Sequence, residues 1–302
     1  MPLLQVDKLT KTYGGGKPAV NELSMQIREG RCTALLGPNG AGKTTTLRML
    51  AGLLAPTSGS IAFKSQEGGD VRESVGYLPQ YPAFPNWMSG KEFLTYAGRL
   101  AHQSKREAAG RALELLERVG LAEAAGKRIG GYSGGMKQRL GIAQAIIHRP
   151  QLLMLDEPVS ALDPIGRREV MSLLAELKKE TTILFSTHVL HDAEAVCDDV
   201  LIIRDGRTAL AGELRAVMRA HARPVITLQL AEGHETWLRQ LAGRPYVRHI
   251  DLQPNEARIG VDDLEAARTA LLQDILASGV SLVRLEAGSA TLEDLFMEAV
   301  KS

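Results

Sequence analysis

Residues 33–50 read TALLGPNGAGKTTTLRML, an apolar run, a glycine-rich bend and the opening of a helix. Gly37, Pro38, Asn39, Gly40, Ala41, Gly42, Lys43 and Thr44 fit the pattern GxxxxGK[ST]. In such a loop the backbone N–H groups converge on phosphate oxygens, and the helix that follows adds its positive end. The Lys43 ammonium is expected to reach the β- and γ-phosphates, and the Thr44 hydroxyl to ligate Mg²⁺. Thr45 belongs to the same set of candidate nucleotide contacts. The motif says that a nucleotide is gripped. Which nucleotide, whether it is split and to what end must come from the rest of the chain.

A partner for this loop stands at residues 152–158, LLMLDEP. The apolar strand carries Asp156 to a sheet edge, where its carboxylate is suited to a metal ion. Glu157 follows, and side chains diverge along an extended segment. Glu157 is therefore expected to face a water beyond the γ-phosphate while Asp156 faces Mg²⁺. One acid for the metal and one for the water suffices for hydrolysis. Guanine-specific phosphate-loop proteins usually carry an NKxD motif, and none of Asn21, Asn39, Asn86 and Asn255 begins one. Adenine is the expected base.

Composition sets outer limits. The 302 residues suit one large domain or two modest ones. No stretch approaches the ~18 consecutive apolar residues of a membrane helix. The start, MPLLQVDKLTKTY, lacks the apolar core of a secretory signal, so a cytoplasmic location is expected. Thirty-six basic residues against 35 acidic weigh against a dedicated nucleic-acid binder. Cys32 and Cys197 lack metal-ligand spacing and read as buried small hydrophobes.

Along the chain, LLQVDKL and LSMQIRE alternate like half-buried strands, while residues 32–36, LLMLD, TTILFS and VLIIR read as buried ones. Leu47, Leu50 and Leu54 fall at helical spacing before Pro56. Residues 85–150 turn helical, as in REAAGRALELLERVGL, and read as an insertion. Asp163-Pro164 reads as an N-cap with proline at the first helical position. Asp205-Gly206 reads as a hairpin turn. The expectation is an α/β domain over residues 1–215 with a mainly parallel sheet. After a linker near 215–223, residues 223–302 run β-α-β-β-α-β, the ferredoxin-like order, and end in a short helix.

YSGGMKQR, residues 132–139, makes the reading specific. It resembles the LSGGQ signature of ATP-binding cassette (ABC) ATPases. Ser133 is placed to cap a helix, and Gly134 and Gly135 permit close approach to a phosphate. Tyr132 stands where the family has leucine, and Met136 where it has glutamine. The resemblance implies a P-loop NTPase fold with a parallel-sheet core, an antiparallel β subdomain and a helical insertion. It also implies a head-to-tail homodimer, in which Ser133 and Gly135 contact the γ-phosphate of ATP held by a second copy. Tyr13, in KTYGGG, matches the aromatic that stacks on adenine. Gln80, in GYLPQ, matches the glutamine that senses Mg²⁺ and the attacking water. Asp163, in SALD, matches the D-loop, and His188, in FSTH, the switch histidine.

The family includes transporters, nucleic-acid machines and translation factors. Two cassettes in one chain, zinc cysteines or a long coiled coil would mark the latter classes, and none occurs. A soluble mechanical ATPase acting on nucleic acid or ribosomes is the alternative reading. Six of 13 aromatic residues lie between Tyr77 and Tyr96, in and around the proline-rich LPQYPAFPNWMSG. Loops rich in aromatics and methionine mark interfaces. This loop follows Gln80, where the resemblance implies docking of a separate membrane permease, so Tyr81, Phe84, Trp87 and Met88 are expected to line that groove, with the protein peripheral on the cytoplasmic face. The ending LEDLFMEAV resembles the ATPase subunits of type-2 ABC exporters. RNA binding by the last domain is not expected, since VITLQL and VSLVRLE lack the aromatics that stack bases.

Overall fold

The computed structural model describes residues 2–64, 70–160, 162–220, 224–289 and 291–301. The chain divides into two compact units, Met1–Leu214 with Ala299–Ser302, and Arg215–Glu298.

The first unit is built on a six-stranded sheet. Its strands are β3 (Cys32–Leu36), β5 (Val75–Leu78), β6 (Leu152–Asp156), β7 (Thr182–Thr187), β8 (Asp199–Arg204) and β9 (Arg207–Glu213). The order is β5-β6-β7-β3-β8-β9; all neighbours are parallel except the β8–β9 hairpin. Every residue of β3, β6 and β7 is buried, which is why these strands read as unbroken apolar runs. Alternate residues serve opposite cores. Cys32, Leu153, Leu155, Ile183 and Phe185 join one cluster, whereas Leu35, Leu152, Met154, Leu184 and Leu201 join the other.

A three-stranded antiparallel sheet, in the order β2-β1-β4, supplies the second cluster. Its strands are β1 (Pro2–Lys11), β2 (Val20–Arg28) and β4 (Ser58–Phe63). The other cluster is closed by the helical insertion, α2 (Gly90–Leu100), α3 (Lys105–Arg118) and α4 (Gly134–Ala145). Ser89 with Glu92, and Ser104 with Glu107, form reciprocal capping boxes that fix where α2 and α3 begin. Helices α1 (Lys43–Leu50), α5 (Pro164–Leu177) and α6 (Leu190–Val196) complete this unit, and α7 (Leu214–Ala220) begins the second.

Two expectations change. Helix α1 stops at Leu50, short of the apolar spacing to Leu54. Gly52 adopts φ +68°, and the bonds Leu53 N→Arg48 O and Gly52 N→Met49 O make a Schellman stop. The expected linker is in fact helical over α7, and its last residues, 221–223, lie outside the described residues.

The second unit runs β10 (Pro224–Leu230), α8 (Glu235–Gln240), β11 (His249–Leu252), β12 (Glu256–Gly260), α9 (Leu264–Ser278), β13 (Leu282–Ser289) and α10 (Leu292–Lys301). Its sheet is fully antiparallel in the order β11-β12-β10-β13. This is the β-α-β-β-α-β arrangement expected from the pattern. Its own core gathers Ile226, Leu228, Ala257, Ile259, Leu271 and Ile275.

Candidate nucleotide site

Four adjacent parallel strands end at the same edge of the central sheet. β3 runs into the phosphate loop, β6 ends at Asp156, β7 leads to His188, and β5 is followed two residues later by Gln80. Sequence separations of more than 100 residues thus collapse to neighbouring strand ends.

The loop itself is braced from behind. Gly42 holds φ +102°, and a Cβ there would stand 2.5 Å from the Ala19 carbonyl oxygen, so only glycine fits. Gly206 N donates to Ala41 O at 3.1 Å, and Asn21 N donates to Gly206 O at 2.8 Å. The Lys43 ammonium, buried, donates to Gly37 O at 2.7 Å and Pro38 O at 3.2 Å. Burial pushes its pKa down, and the nearby Glu157 and Asp156 carboxylates partly restore it. Pro38, Thr44 and Thr45 are half-buried, while Asn39 and Gly40 are exposed.

Behind the loop lies a hydrogen-bonded chain of acids. Ser186 Oγ donates to Asp156 Oδ1 at 2.7 Å and accepts from Glu157 N at 2.9 Å. Glu157 Oε2 lies 2.8 Å from His188 Nδ1, and Oε1 lies 4.0 Å from the Lys43 ammonium. A carboxylate oxygen accepts, so Nδ1 is the donor in this bond. Asp156 and Glu157 do point differently, but not through strand pleating. Glu157 has left the strand, at φ +51°. Asp156 Oδ2 is buried without a hydrogen-bond partner. A buried carboxylate oxygen of that kind suits a hard divalent cation, and Thr44 and Gln80 supply further neutral oxygens, so these residues fit Mg²⁺.

The serine-glycine motif stands apart from this cluster. Ser133 caps α4, its Oγ accepting from Met136 N at 3.2 Å. A cleft of about 390 Å³ beside it is lined by Ser133, Gly134, Gly135, Leu162, Asp163 and Ile165, among others, and by no phosphate-loop residue. Asp163 caps α5, accepting from Gly166 N at 3.0 Å. Tyr132 is buried and donates from its hydroxyl to Ala124 O at 2.7 Å. It is admitted because residue 90 is glycine: a Cβ there would lie 2.4 Å from that hydroxyl. Tyr13 follows β1, is 53% exposed, and carries the Lys11 ammonium 5.5 Å from its ring centre.

The aromatic loop splits in two. Phe84 and Met88 pack against the insertion core, with Phe84 edge-on to Phe93 at 5.1 Å. Tyr81 and Trp87 remain 79% and 73% exposed. Of the four residues expected in a docking groove, two are thus partly buried against the insertion and two are exposed. Sequence reasoning missed Ser186, whose signal was a hydroxyl near the end of the buried strand β7.

The comparisons with known proteins agree with this geometry. Residues 20–160 match the family described as ABC transporter, and residues 212–300 match the C-terminal domain of DrrA1-3-like ATP-binding proteins. The ABC transporter ATP-binding protein YxlF of Bacillus subtilis (strain 168) is 51% identical over 299 residues, 99% of each chain. The chain belongs to the ABC transporter ATP-binding proteins. This ABC protein is also 33% identical to the bacitracin transport ATP-binding protein BcrA of Bacillus licheniformis, over 99% of this chain and 97% of that one. Among solved structures, the dimeric post-hydrolysis state of the cassette MJ0796 with ADP and Pi superposes with a TM-score of 0.64 at 26% identity. The match covers 70% of this chain and 99% of that one. The protein is accordingly the ATP-binding, ATP-hydrolysing subunit of an ABC transporter. Among the described residues, no helix is long and apolar enough to cross a membrane.

Proposed function

We propose that this ABC subunit works as a head-to-tail homodimer that closes on two ATP molecules and drives separate membrane permease subunits in an exporter. The observation that carries this reading is the split of the candidate residues. The phosphate loop and its acid network form one half-site, whereas Ser133, Gly135 and Asp163 line a cleft without any phosphate-loop residue.

In this reading Tyr13 stacks on adenine, and residues 37–45 wrap the phosphates. Lys43 exchanges the Gly37 and Pro38 carbonyls for phosphate oxygens. The second copy's helix tip brings its N-terminal dipole to the γ-phosphate. Thr44, Asp156 and Gln80 would hold Mg²⁺, which, when bound, neutralises charge on the β- and γ-phosphate oxygens. Glu157 accepts a proton from the attacking water, and His188, already bonded to Glu157, presents Nε2 to the γ-phosphate. Tyr81 and Trp87 offer the exposed apolar surface for a permease, which would hold the protein on the cytoplasmic face of the membrane. Likeness to a bacitracin transport ATP-binding protein supports export.

The test follows ATP rather than mass. Glu157→Gln should slow phosphate release by about 10²–10⁴-fold and retain ATP through gel filtration. Adding Ser133→Asp, which preserves a capping side chain, should abolish retention without removing ATP binding at equilibrium. Retention that survives Ser133→Asp would overturn the shared site.

A further inference from the structure

We infer that the second unit carries its own homodimer interface, in which β13 pairs antiparallel with β13 of a second copy about a two-fold axis at Leu285. It goes beyond the ATP-closed dimer and needs no nucleotide. Strand β13 is an edge: among the described residues it pairs with β10 alone, and no strand lies on its other side. Such an edge is a template for another strand.

The side chains say what that strand is. In a continuous sheet, residues that share a face must pair with each other, so the two residue numbers of each pair must sum to an even number. Centring the axis on Leu285 puts Arg284 opposite the second copy's Glu286, and Glu286 opposite its Arg284. Shifting the centre to residue 284 or 286 sets like charges against each other. In the single chain Arg284 and Glu286 already share a face, 2.6 Å apart, and both are largely exposed. The segment VRLEA is therefore self-complementary in one register only, as an isologous contact requires.

A second observation lies on the opposite face. Helix α9 packs over β10 and β13. One flank of α9 meets the segment containing α8 and its connection to β11: Trp237 Nε1 donates to Ser278 Oγ at 2.8 Å, and Tyr246 Oη donates to Asp274 Oδ2 at 2.6 Å. At 100° per residue, Leu272 falls on the other flank and Leu276 farther round toward solvent. Leu276 is 81% exposed, and Val283, the extra residue where the register with β10 shifts between Leu282 and Arg284, is 62% exposed. Pairing the edges sets the two α9 helices side by side, so that Leu272 meets its counterpart and leaves water. The paired sheet has eight strands.

The experiment uses the full chain without nucleotide, so that its failure and that of the ATP-closed dimer are separable. Sedimentation at micromolar concentration should give twice the protomer mass. Arg284→Glu sets glutamates against each other at both ends of the pairing and should weaken association at least tenfold. Adding Glu286→Arg should restore it, because the reversed pattern is again self-complementary. Leu272→Asp, at an exposed position, should also give monomers. Leu285→Cys should cross-link to its counterpart under a mild oxidant, whereas Val283→Cys, opposite residue 287, should not. A monomeric wild-type chain, a dimer indifferent to Arg284→Glu, or cross-linking at 283 instead of 285 would overturn the proposal.

Discussion

Glu157 is held away from its strand by bonds that the motif does not announce. A non-glycine residue at φ +51° costs about 1–3 kcal/mol and persists where its surroundings fix it. Here the fixing group is Ser186, which bonds both the Asp156 carboxylate and the Glu157 amide. Ser186→Ala leaves two buried polar groups short of a partner. It should lower unfolding free energy by about 2 kcal/mol in denaturant titrations. The same variant should reduce kcat more than KM, because it loosens Glu157 rather than the phosphate loop. Equal loss in both would place Ser186 outside hydrolysis. The two acids were legible because DE after an apolar strand pairs with a phosphate loop. The conformation that separates them was not, since a left-handed glutamate leaves no trace in hydrophobic periodicity.

At the scale of elements, the turn after α4 is tied to the central sheet through His148. Its Nε2 lies 3.2 Å from the Val75 carbonyl oxygen of β5. Burial pushes its pKa below the ordinary 6.5, with the Val75 carbonyl partly opposing. The unfolded chain therefore takes a proton near pH 6.5 that the folded chain still refuses. Stability is complete above that pH and is lost as pH falls toward the depressed folded value. Urea midpoints measured from pH 7.5 to 5 should fall less steeply for His148→Gln than for wild type. An unchanged slope would clear His148.

Elements were readable wherever local chemistry and packing agreed. The buried parallel strands, the Asp163 cap and the Asp205-Gly206 turn all appear as the pattern predicts. Disagreements arise where distant groups decide. Tyr132 replaces a leucine because residue 90, far back in the chain, leaves room for its ring. Phe84 and Met88 are partly buried because the insertion offers a core to pack against.

At the scale of the whole molecule, the two units own separate cores, and each holds one tryptophan. Trp87 belongs to the first and Trp237, packed against the ferredoxin-like core, to the second. Replacing Trp87 with Phe leaves Trp237 as reporter of the second unit alone. ATP should raise the thermal midpoint read by circular dichroism, through mass action on the first unit. The Trp237 transition should stay where it was. If both move together, the units unfold as one. The β-α-β-β-α-β order was legible from alternation; the edge position of β13 was not, because strand neighbours are fixed by topology rather than by pattern.

The brace behind the phosphate loop carries one more consequence. Gly206 ties Ala41 to the hairpin between β8 and β9, and Asn21 ties that hairpin to β2. A curvature so set in advance need not be frozen out of a floppy ensemble when a guest arrives, so little association free energy goes into ordering the host. Tightness then reflects the guest's own contacts. Chemical trimming of the nucleotide, phosphate by phosphate, should change affinity in discrete steps rather than by collapse.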